Sequence, residues 1–306
     1  MSLPFLQKFQ GVLKSSPLSD VSKTQYCSRL KRLTDITGHD IDWVIDHCEQ
    51  SIEAIKKNNL DDHETAKSLC NSVLSLFKYT KDLEKKKGKQ HACWLQHMNI
   101  HRAKAQEKYD TLTPSARQVE VFVQWKDILK KRDTLDKDSQ EYLLLCLYTM
   151  IPPARADMNK VKILQRYPSE LQLEKYPNCL VVNKDKMILI YTEFKSRTEK
   201  RKIYTKELPV ELRSVIHRSL EKQPRDFLVV SPRTGQPYDK SNSFDKRFNR
   251  LLFDVFDKAV TINTLRHSFI NSVDTSATPA EKAKHAKDMM HSETTFDRYR
   301  LRIPDA

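Results

Sequence analysis

The sequence predicts an α+β protein, mainly α with one small antiparallel β-sheet, built as two domains. From residue 1 to about 80, apolar residues recur every three to four positions while Pro and Gly are rare, the stripe that amphipathic helices require. Three β-rich stretches, LVVNKD, MILIYTEF and KIYTKELP, follow within residues 180–209, separated by charged turns. Between these regions TLTPSARQ, at 111–118, reads as a boundary, with Pro114 in a first-turn position behind a capping Thr113. The expected domains are therefore 1–110 and 111–306.

The elements follow in order. VSKTQYCSRLKRLTDIT and HETAKSLCNSVLSLFKYT are amphipathic helices. KDLEKKKGKQ, at 81–90, is a basic run expected as a linker or an exposed helix end. A further helix runs through His101 to Tyr109. SQEYLLLCLYTM, at 139–150, is apolar all round and is expected to be a buried helix, stopped by Pro152 and Pro153. After the strands, SFDKRFNRLLFDVF is amphipathic again. TINTLRHSFINSV carries the stripe Leu265, Phe269, Ile270 and Val273. TPAEKAKHAKDMMH opens with a capping box of Thr278 and Glu281 and with Pro279 at the first helical position.

Composition narrows the function. The 306 residues carry 54 Lys and Arg against 40 Asp and Glu, a net charge of +14, which favours a polyanionic partner, nucleic acid before others. No apolar run approaches the roughly 18–20 residues a bilayer span needs, and MSLPFLQKFQGVLKSS lacks the charged start of a secretory signal. Only four glycines occur, so neither a P-loop nor a dinucleotide fingerprint is present, and phosphate must be gripped by Arg, Lys and helix N-termini. The six cysteines are scattered singly, which predicts buried thiols in a reducing, intracellular setting rather than a disulfide framework.

Arg266 and His267 then raise a question, because they lie side by side on a segment whose stripe is bound for a core. A solvated arginine is the bland reading. The same domain, however, places Arg155 just past the double proline of TMIPPARADM and Lys195 in the turn of TEFKSRTEKRK. MMHSETTFDRYR adds His291 and, eight residues on, Tyr299. Two arginines neutralise non-bridging phosphate oxygens, a lysine protonates a departing alkoxide, and a tyrosine attacks to hold a covalent phosphodiester.

In that order, Arg155, Lys195, LRHSF, MMHS and Tyr299 resemble the tyrosine site-specific recombinases, the phage-integrase family, over about residues 111–300. The helical N-terminal region is similar to that family's core-binding domain. The resemblance implies a recombinase or integrase that cleaves and rejoins double-stranded DNA through a 3′-phosphotyrosine link. It implies a homo-tetramer on two DNA sites, no membrane association, and no metal or other cofactor in the chemistry. Carried onto this chain, Arg155 and Arg266 stabilise the scissile phosphate, Lys195 is the general acid on the 5′ oxygen, His291 hydrogen-bonds the phosphate, and Tyr299 is the nucleophile. The double proline before Arg155 most resembles integrases of large DNA viruses and related mobile elements.

Departures from the family pattern are explicit. Asn263 stands where a histidine is usual, so a phosphate-positioning role fits it but proton abstraction does not. The acid after Arg155 is Asp157, two residues on rather than three. The His291-to-Tyr299 spacing is one shorter than in many members, and seven residues follow Tyr299, little for a tail exchanged between subunits. Two alternatives stay open: a type IB topoisomerase-like nicking and resealing enzyme, and an inactive DNA-binding protein on the same scaffold. Separately, Cys93, His97 and His101 recur at spacings of four, either as a zinc-binding face or, the plainer reading, as a helix with one buried cysteine and solvated histidines.

Overall fold

The computed structural model describes residues 11–59, 62–193, 203–273 and 276–303, and the chain divides into two compact units, Met1–Thr111 and Leu112–Ala306.

The first unit is helical: α1 (Asp20–Thr37), α2 (Ile41–Asp46), α3 (Cys48–Asn59), α4 (His63–Tyr79), α5 (Leu83–Lys86) and α6 (Gly88–Asp110). Ser19, Asp40 and Asp62 each accept a hydrogen bond from a first-turn amide, so the helix starts are written locally. The core gathers Leu69, Cys70, Val73, Leu76 and Phe77 of α4 against the fully buried Trp94 of α6. The Trp94 indole also donates to the Ile45 carbonyl at 3.4 Å. The basic run 81–90 forms α5 and the first turn of α6, so it is a pair of helix ends within this unit. Lys87 is committed there, its ammonium 2.6 and 2.7 Å from the two oxygens of Asp46. One expectation fails: Cys48 and Cys93 are joined as a disulfide, while Cys27, Cys70, Cys146 and Cys179 are free thiols. The two bonded residues lie 45 positions apart in sequence, and only the packing of α3 on α6 brings them together.

The second unit starts with α7 (Ala116–Val121). Its cap is Ser115, in a reciprocal box with Gln118, so Pro114 lies just outside the helix instead of in its first turn. α8 (Trp125–Asp133) and α9 (Gln140–Thr149) follow, then a 3₁₀ turn (Ala156–Lys160) and a four-stranded sheet in the order β1 (Lys162–Leu164), β2 (Asn178–Val182), β3 (Met187–Tyr191) and β4 (Tyr204–Glu207). The β2–β3 and β3–β4 pairs are antiparallel, but β1 lies parallel to β2, so the sheet is mixed and not purely antiparallel as the sequence predicts. Parallel neighbours need a crossover of about a dozen residues; α10 (Glu170–Lys175) supplies it. The three residues of β1 are too few to show an alternation in sequence.

The strand alternation decides what each face covers. Leu180, Met187, Leu189 and Tyr191 face the main core. Cys179, Val181 and Ile190 form a second apolar layer, with Leu173 of α10 packed against it. The main core is centred on Leu143–Tyr148 of α9 and on Phe244, Phe248, Leu251 and Leu252 of α12 (Ser241–Phe256). Burying each such side chain contributes about 1.5–3 kcal/mol, enough to hold α9 in place and, with it, the chain that leaves it toward Arg155. α11 (Val210–Lys222), α13 (Ile262–Ser272), α14 (Pro279–Asp288) and α15 (Glu293–Asp297) complete the unit. The capping box and first-turn proline expected at Thr278–Glu281 are present.

Candidate active site

α13 begins at a capping box between Thr261 and Thr264. Its apolar side, including Leu265 and Ile270, is buried. Arg266 is neither solvated nor at the surface: it is 1% exposed. Its Nη2 lies 3.2 Å from Nδ1 of His291, and its guanidinium carbon stands 4.8 Å from the centroid of the Tyr299 ring. Nε and Nη1 are buried and have no hydrogen-bond partner among the described residues. Burial pulls the Arg266 pKa down to about 10, with Tyr299 opposing the shift and Arg155 reinforcing it, so the group remains a cation at neutral pH. An unmet buried donor costs about 1–3 kcal/mol. Two of them on one buried cation suit a pocket that takes up an anion or a water.

His291 completes the pocket. α14 ends in a Schellman turn, with the His291 amide donating to the Ala286 carbonyl and the Met290 amide to that of Lys287, each at 2.9 Å. Met290 takes the left-handed conformation, φ 55°, where glycine is the usual residue; its buried side chain packs in the main core, which holds the strained backbone in place. His291 is thereby turned onto Arg266. The arginine can only donate, so Nδ1 accepts and the imidazole proton sits on Nε2. That Nε2 is itself buried without a partner among the described residues, a third donor on the same pocket.

The His291 pKa is pushed down to about 3, first by burial and then by the charges of Arg266 and Arg155. Because the folded pKa lies below the unfolded value near 6.5, the unfolded chain binds the extra proton between these limits. Stability from this group is therefore full above about pH 6.5 and is lost as pH falls toward 3. Denaturant titrations from pH 7 to pH 4 should show this loss, with a slope of at most about 1.4 kcal/mol per pH unit from one proton. His291→Gln should flatten that part of the profile; an unchanged slope would remove His291 from the account.

Arg155 caps the 3₁₀ turn that follows the double proline. The Tyr148 hydroxyl donates to its carbonyl at 2.7 Å, fixing the backbone from the buried helix α9. No hydrogen bond or ion pair engages its guanidinium among the described residues, yet its charge lowers the pKa of both His291 and Arg266. Asp157 stands close by: burial raises its pKa while Arg155 and Arg266 pull it back. Lys195 lies between β3 and β4, outside the described residues. The returning strand is anchored: Lys206 Nζ is 2.7 Å from Asp288 Oδ2, and the Tyr204 hydroxyl donates to Asp288 Oδ1 at 3.2 Å. Asp288 is the last residue of α14, three before His291.

Tyr299 follows α15 and is half-buried. Its ring lies 5.1 Å from that of His291 and 4.8 Å from that of His267, against a small apolar cluster of Ile270, Ala286, Met289 and Phe296. Its mount is α13. His267 Nδ1 donates to the Tyr299 carbonyl at 2.6 Å. Asn271, one turn further along, accepts from the Leu301 amide at 2.9 Å and donates to its carbonyl at 2.8 Å. Sequence reasoning missed both as functional residues, although their spacing of four on one helix face was a usable signal. Exposed Asn263 sits one turn before His267, its amide nitrogen 3.3 Å from His267 Nε2. Burial lowers the His267 pKa, its bond to the Tyr299 carbonyl opposing and Arg266 reinforcing the shift, so the ring is neutral.

No protein-family model matches the chain, and no curated protein matches it. Among solved structures, that of XerA recombinase aligns with 98% of this chain and 94% of its own, at 14% identity and a TM-score of 0.41. A likeness of that degree assigns nothing to this chain, so the site rests on its own geometry. No helix among the described residues is long and apolar enough to cross a membrane.

That geometry brings Arg266, His291 and Tyr299 into contact, with Arg155 close enough to act electrostatically on two of them. Three donors without a partner among the described residues lie on Arg266 and His291, the charge of Arg155 acts on both, and the Tyr299 ring stands beside them. Preorganised donors of this kind stabilise charge that develops on a phosphoryl group without any reorganisation at the moment of reaction.

Proposed function

We propose that this protein is a site-specific DNA strand transferase of the tyrosine recombinase type. In this reading the Tyr299 hydroxyl gives up its proton to solvent as its oxygen attacks the scissile phosphorus, the bond to the 5′ oxygen breaks, and a 3′-phosphotyrosine link retains the energy for rejoining. Arg155, Arg266 and the His291 Nε2–H bind the non-bridging oxygens. Lys195 gives its proton to the departing 5′ oxygen, and Asn263 helps to position the phosphate by hydrogen bonding. The observation that carries the reading is the buried Arg266 with its unmet Nε and Nη1 beside the unmet Nε2 of His291, next to a tyrosine. The motif order supports it, as does the net charge of +14. The reading extends to double-stranded DNA as substrate, a homo-tetramer on two sites, action inside the cell on DNA, and a role in genome integration by a virus or mobile element. The first unit is the helical DNA-binding domain and the second the catalytic one.

The test is incubation with duplex DNA nicked near candidate sites, followed by denaturing electrophoresis. A covalent protein–DNA band supports the reading, and its absence across a randomised site library would end it. Strand exchange between two duplexes separates recombination from nicking and resealing of one.

DNA binding itself should weaken steeply with salt, because each neutralised phosphate releases counterions; six or more contacts imply on the order of a thousandfold between 50 and 200 mM. Charge reversal at Lys85, Lys86 and Lys89, all exposed, should weaken binding to every sequence alike. Lys87 is left out of that set because its pairing with Asp46 supports the fold. Affinity that is flat with salt would contradict the charge argument.

A further inference from the structure

The proton on the His267 ring can be located from two sides, and both give the same atom. On one side Nδ1 lies 2.6 Å from the Tyr299 carbonyl oxygen, which can only accept, so Nδ1 carries the proton. On the other side the hydrogen bonds start at the cap of α7. Gln118 closes that capping box with Oε1, which accepts from the Ser115 amide at 2.8 Å. The bond fixes which end of the side-chain amide is oxygen. Its Nε2, a donor only, is therefore the atom 3.5 Å from His267 Nε2. The Asn263 amide nitrogen lies 3.3 Å from the same ring nitrogen. Two donors directed at Nε2 require a lone pair there, and burial keeps a second proton off the ring at neutral pH. The segment that carries Gln118 also grips the chain beyond Tyr299, the Arg302 amide donating to the Leu112 carbonyl at 2.8 Å.

We propose that Gln118 is a positioning residue for Tyr299 and acts through the tautomer of His267. By presenting a donor to Nε2 it keeps the single ring proton on Nδ1, where that proton holds the Tyr299 carbonyl. The proposal rests on the strand-transfer reading, in which the place of the Tyr299 oxygen sets the rate. Reaction geometry is sensitive on this scale: a displacement of about 1 Å costs on the order of a hundredfold. Tyr299 needs such support, because the five residues of α15 before it make too short a helix to hold its own end. The side chain of Gln118 does two jobs at once. Its oxygen caps α7 and its nitrogen sets the proton of a histidine 149 positions away in sequence.

Gln118→Glu in the full chain separates this role from a structural one. A carboxylate still accepts from the Ser115 amide, and Ser with Glu three positions on is a capping pair in its own right, so α7 keeps its cap. The atom that faces His267 Nε2 changes from donor to acceptor, however, and a charged acceptor outcompetes a carbonyl for a proton. The other charged or titratable groups described beside His267 are Arg266 on its own helix and Tyr299. While the variant's imidazole carries two protons, both bonds are made and Tyr299 stays mounted. As pH rises one proton leaves, the other settles on Nε2, and the Tyr299 carbonyl loses its donor. Single-turnover adduct formation at saturating DNA, divided by the wild-type rate at the same pH, should be near one at the acid end and fall by up to about a hundredfold at the alkaline end. Nitrogen-15 spectra of histidine-labelled protein, assigned with His267→Asn, read the tautomer without DNA. Wild type should carry the His267 proton on Nδ1, and Gln118→Glu should carry it on Nε2 at alkaline pH. A wild-type proton on Nε2, or a rate ratio that is flat with pH, would overturn the proposal. Failure of the strand-transfer reading looks different: wild type then forms no adduct on any DNA, while the spectra still decide whether Gln118 sets the tautomer.

Discussion

Tyr299→Phe should abolish the covalent protein–DNA adduct while leaving DNA affinity within about twofold, because the substitution removes only the attacking oxygen. The ring itself stays, and with it the contact beneath the Arg266 guanidinium at 4.8 Å and the packing on Ile270 and Phe296. The mount also stays, since His267 and Asn271 hold backbone atoms of the Tyr299 segment rather than its hydroxyl. Denaturing electrophoresis reads the adduct and a binding titration at fixed salt reads the affinity. A Tyr299→Phe protein that still forms the adduct would move the nucleophile to another tyrosine. A variant that lost binding and adduct together would show that Tyr299 acts in DNA recognition and not in attack.

Arg266→Met should have opposite effects on activity and stability. Removing a preorganised donor set costs on the order of a hundred- to a thousandfold in rate, so cleavage should fall by at least that much. In the absence of DNA, however, Arg266 is a buried cation with two donors unmet among the described residues, and an apolar chain of similar volume removes the penalty of about 1–3 kcal/mol that each unmet donor carries, against the loss of one hydrogen bond to His291. The Tm of Arg266→Met should therefore hold or rise by a few degrees, at about 2–4 °C per kcal/mol for a unit of this size. Arg266→Ala, which leaves a cavity in the same place, should fall below wild type. An Arg266→Met variant that kept its cleavage rate would sink the site, and one that unfolded would make the arginine a structural strut. Read from the sequence, Arg266→Ala cripples cleavage and leaves the fold intact, because a solvent-facing or site-facing arginine contributes little to a core; its burial is what couples stability to activity.

Much of the fold was legible because it is locally determined. Helix starts were written in single side chains, such as Thr278 with Glu281 behind Pro279. The buried helix α9 was legible from an unbroken apolar run, and β2 and β3 from β-rich stretches set between charged turns. β1 was not: three residues carry no period, and its parallel pairing depends on where α10 returns the chain. The cap of α7 slipped from Thr113 to Ser115 because a proline there fits as well just before a helix as inside it.

For the site, the sequence by itself determined the inventory and its order: Arg155, Lys195, Arg266, His291 and Tyr299 in one domain of a strongly basic chain. The tertiary structure decided which of these meet and in what state. Burial leaves Arg266, still a cation, with donors unmet among the described residues, the left-handed Met290 aims His291 at it, and α13 mounts Tyr299 through His267 and Asn271. The same holds for Cys48 and Cys93, which no spacing rule joins. Periodicity and capping act over three to four residues and are therefore written in the chain. Desolvation, proton location and ligand convergence depend on neighbours that are distant in sequence, and only packing supplies them.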